Sequence, residues 1–204
     1  NWLRQRGSGF LMTWALAMAI LVVAVIVFAV FSANGSALTG ASACVLLLTA
    51  LSIHYGGLVQ FRDGAFPLAK VALLASVLAL PIVPTFAVGA DGLGFVLVNL
   101  QSAVLVGVCG AGYWRMRAES PAALIAVSIL HHALALSFLL CAVVGAIESP
   151  IYLSSGAPHN WAEVLNLVAS VIALTGSGGL LVTVHQERIS RQHKQNALTD
   201  PLTG

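Results

Sequence analysis

Six long apolar stretches, each bounded by a short polar break, leave this chain very few ways to fold. They lie at approximately 8–32, 37–60, 66–89, 93–116, 121–147 and 160–185. About 20 apolar residues in helical form cross the hydrocarbon core of a bilayer. Lipid offers the backbone no hydrogen-bond partner, so each crossing segment must be a helix. The expected fold class is an all-α integral membrane protein: a six-transmembrane-helix bundle over residues 1–185, followed by a cytoplasmic helix. Composition excludes a soluble domain. Of the residues, 59% are hydrophobic and only 8% charged, against about 25% charged in soluble proteins. The stretches are too long and too many for a signal peptide.

The breaks carry turn chemistry at Asn34-Gly35, Asp63-Gly64, Asp91-Gly92, Ser120-Pro121 and the Pro/Gly/Ser-rich 149–158 stretch. Pro121 suits the first turn of the fifth helix, where a backbone donor is unpaired anyway. Pro81 and Pro84 fall inside the third span and predict a kink.

Lys and Arg gather in cytoplasmic loops. With six spans, all nine basic residues fall on one side: Arg4, Arg6, Arg62, Lys70, Arg115, Arg117, Arg188, Arg191 and Lys194. The other side holds Asp91, Glu148 and Glu163 and no base. Both termini are therefore expected on the cytoplasmic side of the membrane. Trp2, Tyr113, Trp114, Tyr152 and Trp161 mark the interfaces. Cys44, Cys109 and Cys141 lie on three different spans with no metal or redox spacing and are expected as small packing residues. Gly107, Gly110 and Gly112, like Gly176, Gly178 and Gly179, predict close helix contacts.

The sixth span continues without Gly or Pro through Gln186 to Leu198. A stalk helix over 186–198 would extend roughly 18 Å past the membrane. Its possible seams, through Arg188 and Arg191 or through His185 and Ile189, are polar and weak. Either a switchable dimer stalk or a lipid-anchored helix end fits that pattern. Beyond it stands Ala197-Leu198-Thr199-Asp200-Pro201-Leu202-Thr203-Gly204.

Asp200, Leu202, Thr203 and Gly204 match an Asp-x-Leu-Thr-Gly segment placed just after a signalling helix. In this the chain resembles membrane-bound GGDEF-domain diguanylate cyclases at the point where their catalytic domain opens. The resemblance covers Ala197–Gly204 and the preceding helix. It implies that 199–204 begin a catalytic domain otherwise outside this sequence, which contains no Gly-Gly-Asp/Glu-Glu-Phe signature. It further implies a location in a bacterial inner (cytoplasmic) membrane and a homodimer that joins two GTP into cyclic di-GMP, with GTP and Mg2+ bound by that missing domain. His185, Ile189 and Asp200 would form the signalling joint, and no residue here would be catalytic.

Ionisable residues inside a span are functional candidates. His54 on the second span lies about 9 Å inside the cytoplasmic end; His131 and His132 on the fifth lie about 15 Å inside. Imidazoles from two helices at similar depth fit a metal or haem b. Neighbours on a helix point about 100° apart, so only one of His131 and His132 should face His54. Arg62, Lys70, Arg115 and Arg117 are placed to meet haem propionates, and His185 is a further ligand or propionate partner. The alternatives are a pocket for an apolar diffusible signal, with the histidines as hydrogen-bond donors, and plain packing; Tyr55, Asn99, Gln101 and Ser102 are placed to hydrogen-bond a ligand, a haem-ligating His or each other. Glu163 and Asn166 mark the outer end of the sixth span, and His159 the outer loop. A small transporter without an enzyme is a third reading, weakened by the lack of mid-membrane charge. Membrane lipids are the expected surroundings, and no nucleic-acid partner is expected.

Overall fold

The computed structural model describes residues 9–148, 151–153 and 157–199. Among these the chain is helical with no strand: α1 Gly9–Asn34, α2 Ala37–Asp63, α3 Leu68–Ala79, α4 Ile82–Ala87, α5 Asp91–Arg115, α6 Pro121–Glu148 and α7 Trp161–Thr199. Six segments are long and apolar enough to cross a membrane, with α3 and α4 together forming the third, Leu68–Ala87. The protein is a multi-pass membrane bundle. Asp200, Arg4, Arg6 and Trp2 lie outside the described residues.

Local chemistry sets the ends. α2 stops at Gly64, whose φ of 81° is left-handed and whose N–H donates to the Gln60 carbonyl at 2.8 Å. Glycine takes that conformation without steric cost. The third span is broken at the first proline. Leu80 N–H still closes α3 onto Ser76 O at 3.1 Å, but Pro81 has no N–H to continue the ladder. Pro84 is harmless, because it falls in the first turn of α4, where donors have no intrahelical partner. The expected span 66–89 is thus shorter and in two pieces.

α5 and α6 form the central antiparallel pair. α2 packs on α5, α1 on α2 and α7 on α6, while α3 and α4 lie against α2. Buried positions on α6 run Leu124, Val127, His131, Leu134, Phe138, Cys141. On α5 they include Phe95, Val98, Ser102, Leu105, Cys109 and Tyr113. This three-four alternation is the coiled-coil pattern of knobs into holes. α1 is apolar all round, yet buries only Phe10, Ala17, Ala24 and Phe31. Those residues are spaced seven apart, so one narrow seam meets the bundle. The rest of its surface, including Leu16, Val22, Ile26 and Val30, is exposed, as are Val164, Leu167, Val171 and Ile172 on α7. Such apolar perimeters suit contact with acyl chains.

The three cysteines are buried and free. Gly110, Gly112 and Gly178 do mark close helix contacts: a Cβ on them would meet His132, Leu58 and Trp14 respectively at 2.5–2.7 Å. Gly179 faces open space and Gly107 makes only ordinary contact, so those two serve no close approach.

Candidate functional site

α2 reaches Asp63, three residues beyond its expected end. This places His54 nine residues, about 14 Å, inside that end of the helix. His131 lies ten residues, about 15 Å, inside the start of α6. The two buried imidazoles therefore meet at one level, with Nε2 to Nε2 at 2.9 Å. Their centroids are 5.1 Å apart and their planes 17° from parallel. The centroid separation exceeds the nitrogen separation by about two ring radii, so the rings meet end to end rather than face to face.

The tautomers follow from the partners. His131 Nδ1 lies 2.8 Å from the Val127 carbonyl, which can only accept, so this nitrogen carries a proton and donates. Neutral His131 then presents the lone pair of Nε2, and His54 Nε2–H donates to it. That leaves His54 Nδ1 as a buried acceptor with no hydrogen-bond partner among the described residues. The Tyr113 ring flanks the pair, 5.1 Å from His131 and 6.4 Å from His54.

His132 does not join them. Its Nδ1 lies 2.8 Å from Ser128 O, and its ring passes Gly110 on α5. Of the two candidates, the structure brings His131 to His54. Among the described residues no cluster of three metal-ligating side chains occurs. Two imidazoles on opposite sides of one metal need a nitrogen separation of about 4 Å, twice the ~2.0 Å bond. The observed pair is closer, so a haem between these histidines does not fit unless α2 and α6 move apart. Of the proposed propionate partners, Arg62 is paired with Asp63 at 2.7 Å. Lys70 and Arg115 are exposed. Arg117 stacks on Trp114, 4.8 Å from its centroid. Asn99 donates to Phe95 O at 3.0 Å, whereas Gln101 Oε1 and Ser102 Oγ are buried without partners among the described residues.

At the basic end a second arrangement ties α7 to the bundle. Arg188 Nε donates to Glu119 Oε2 at 2.9 Å, and Nη2 bonds the same oxygen. Nη1 reaches the Phe61 carbonyl at 3.3 Å. The guanidinium carbon lies 3.6 Å from the Phe61 ring centroid. Arg191 bonds the Glu119 carbonyl and pairs with Glu187 at 3.1 Å. One arginine thus joins α7 to the end of α2 and to the α5–α6 connection. The seam proposed from sequence contained Arg188, but not its partners Glu119 and Phe61. Nothing in their spacing signals that meeting. His185 packs on Phe10 of α1, with ring centroids 5.9 Å apart. Ile189 is half-buried one turn further on.

Comparison of the chain with known protein families, curated proteins and solved structures found no match.

Proposed function

We propose that this chain is the membrane sensor of a dimeric diguanylate cyclase, passing its signal through α7 to a catalytic domain that begins at 199–204. The observation that carries the reading is α7 itself, an unbroken helix from Trp161 to Thr199. Near its basic end Arg188 holds it to the end of α2 and to the α5–α6 connection. A continuous helix transmits rotation or translation along its axis, and a half-exposed polar contact near its end is one that a stimulus can make or break. The basic end faces the cytoplasm by the distribution of Lys and Arg, which puts the joint at Asp200 where GTP is available. GTP and Mg2+ belong to the catalytic domain.

The bundle interior favours sensing over transport. Its buried polar side chains are serines, His54, Asn99 and His131, with no Asp, Glu, Lys or Arg among the described residues. Ion relays across membranes are built on such charged groups. Haem b is a separate reading of His54 and His131. It requires their helices to part, and a Soret band lost in His54→Ala is its test.

The output is tested by cyclic di-GMP synthesis from GTP by the full-length product in lipid nanodiscs. One residue inserted after Gln192 turns everything beyond it by about 100° and should change the rate several-fold. Seven inserted residues nearly restore the phase and should restore the rate. Absence of turnover, or a rate indifferent to both insertions, overturns the reading.

A further inference from the structure

At the end opposite Arg188, the first turns of α5 and α7 and the last turns of α6 enclose a cavity of about 170 Å³. Its wall takes Asn99 from α5, Cys141 and Glu148 from α6, His159 and Asn160 from the following connection, and Glu163 from α7. Among the described residues no Lys or Arg lines it. There the Cys141 thiol and the Asn99 amide neighbour the Glu163 carboxylate, and among the described residues no basic side chain pairs with it.

The wall offers acceptors more than donors. His159 Nδ1 lies 2.7 Å from the Ala157 carbonyl and donates to it, so in the neutral ring Nε2 is an acceptor. The oxygens of Glu163 and Glu148 add to these acceptors; the donors beside them are the Asn160 NH2, whose Oδ1 accepts from Glu163 N–H at 3.0 Å and caps α7, and the Asn99 NH2, which spends one N–H on Phe95 O. The carbonyl end of α6 adds negative potential here and the amino ends of α5 and α7 add positive potential, so the negative charge of the wall is that of Glu163 and Glu148 themselves. A partly buried carboxylate without a counter-ion is costly, and a cation with several N–H donors would relieve that cost. The volume lies below the ~300–1,000 Å³ of drug-sized sites, so the occupant has few heavy atoms. Among the described residues no three-ligand metal group is present to hold a bare divalent ion.

We propose that this cavity binds a small organic cation, an alkylammonium or amidinium group, with Glu163 as its anchor. Glu163 and Arg188 stand on one helix, 25 residues or about 38 Å apart. A cation that draws Glu163 toward α5 and α6 acts on the helix that Arg188 holds at the other end. This consequence rests on the sensor reading above; the binding itself does not.

The test is calorimetric titration of the full chain in nanodiscs with ethylammonium and guanidinium chlorides at low millimolar concentration, with sodium and calcium chlorides alongside. One of the organic cations should bind saturably. Glu163→Gln should weaken it about tenfold or more, the worth of a charged hydrogen bond. Gly145→Leu keeps the carboxylate but fills the cavity, since a Cβ there first meets Val96 at 3.5 Å; it should abolish binding. Circular dichroism on each variant excludes misfolded protein. No saturable heat from either organic cation, or equal affinity in Glu163→Gln, overturns the proposal. So does binding confined to calcium. Saturable organic-cation binding with no effect on cyclic di-GMP output would uphold the site and overturn the sensor reading instead.

Discussion

Two neutral imidazoles bonded directly to each other are an economical way to keep polar groups inside an apolar bundle. Each satisfies part of the other's hydrogen-bonding capacity, and neither needs water. The arrangement still leaves His54 Nδ1 without a donor among the described residues, and an orphaned buried acceptor costs about 1–3 kcal/mol. His54→Ala and His131→Ala should each destabilise the bundle, and by less together than the sum of the two. Interhelical hydrogen bonds in a membrane average about 0.6 kcal/mol and reach about 1.7. A double-mutant cycle on thermal unfolding in detergent should give a coupling in that range; additive losses would show that the pair does not contribute as a pair. The sequence placed the two at similar depth, about 9 and 15 Å, because depth follows from counting along a helix; the extension of α2 to Asp63 brings them level. Sequence alone could not choose between His131 and His132, because that choice depends on how α6 is rotated against α5. Gly110 settles it: the missing Cβ on α5 leaves room for His132, and His131 then faces α2.

Helices in this bundle meet along seams that only packing reveals. The hydrophobic stretches and the Pro81 break were legible, because length, hydropathy and the missing proline N–H are local properties. The seam of α1 was not, since every face of that helix is apolar and only contact selects Phe10, Ala17, Ala24 and Phe31. The α5–α6 seam offers the sharper test. A Cβ on Gly110 would meet His132 Nδ1 at 2.7 Å and His131 Cβ at 3.1 Å. The Gly110 carbonyl also accepts from Ser128 Oγ at 2.9 Å. Gly110→Val should therefore cost about 1–3 kcal/mol through overpacking. A Cβ on Gly179 would meet nothing within 4 Å, so Gly179→Ala should be neutral or gain roughly 0.5–1 kcal/mol of helix propensity. Thermal melts of the two variants should move in opposite directions or differ clearly in size. Equal shifts would mean that the α5–α6 contact is looser than these distances imply.

Across the whole molecule, the basic end is where separate spans become one mechanical unit. Glu119, in the short connection between α5 and α6, and Phe61, near the end of α2, converge on Arg188 of α7. The Arg188 and Glu119 side chains are 27% and 41% exposed, so solvent screens their ion pair and it contributes at most about 1 kcal/mol. The cation–π contact with Phe61 adds about 0.5–2 kcal/mol. A clasp of that size holds the helix most of the time yet can be opened by a modest stimulus, which is what the proposed passage of a signal through α7 needs. Arg188→Ala should speed amide exchange in 186–195 by about tenfold to a hundredfold and leave the central turns of α5 and α6 unchanged. Arg188→Lys keeps the charge but cannot reproduce the planar fork that bonds Glu119 through two nitrogens while stacking on Phe61. Its exchange should lie nearer to the alanine variant than to the parent chain. Hydrogen–deuterium exchange with peptide-level mass spectrometry separates these cases. If the alanine variant exchanges like the parent, α7 is held by its apolar seam at Leu181 and Val184, and the arginine merely decorates it.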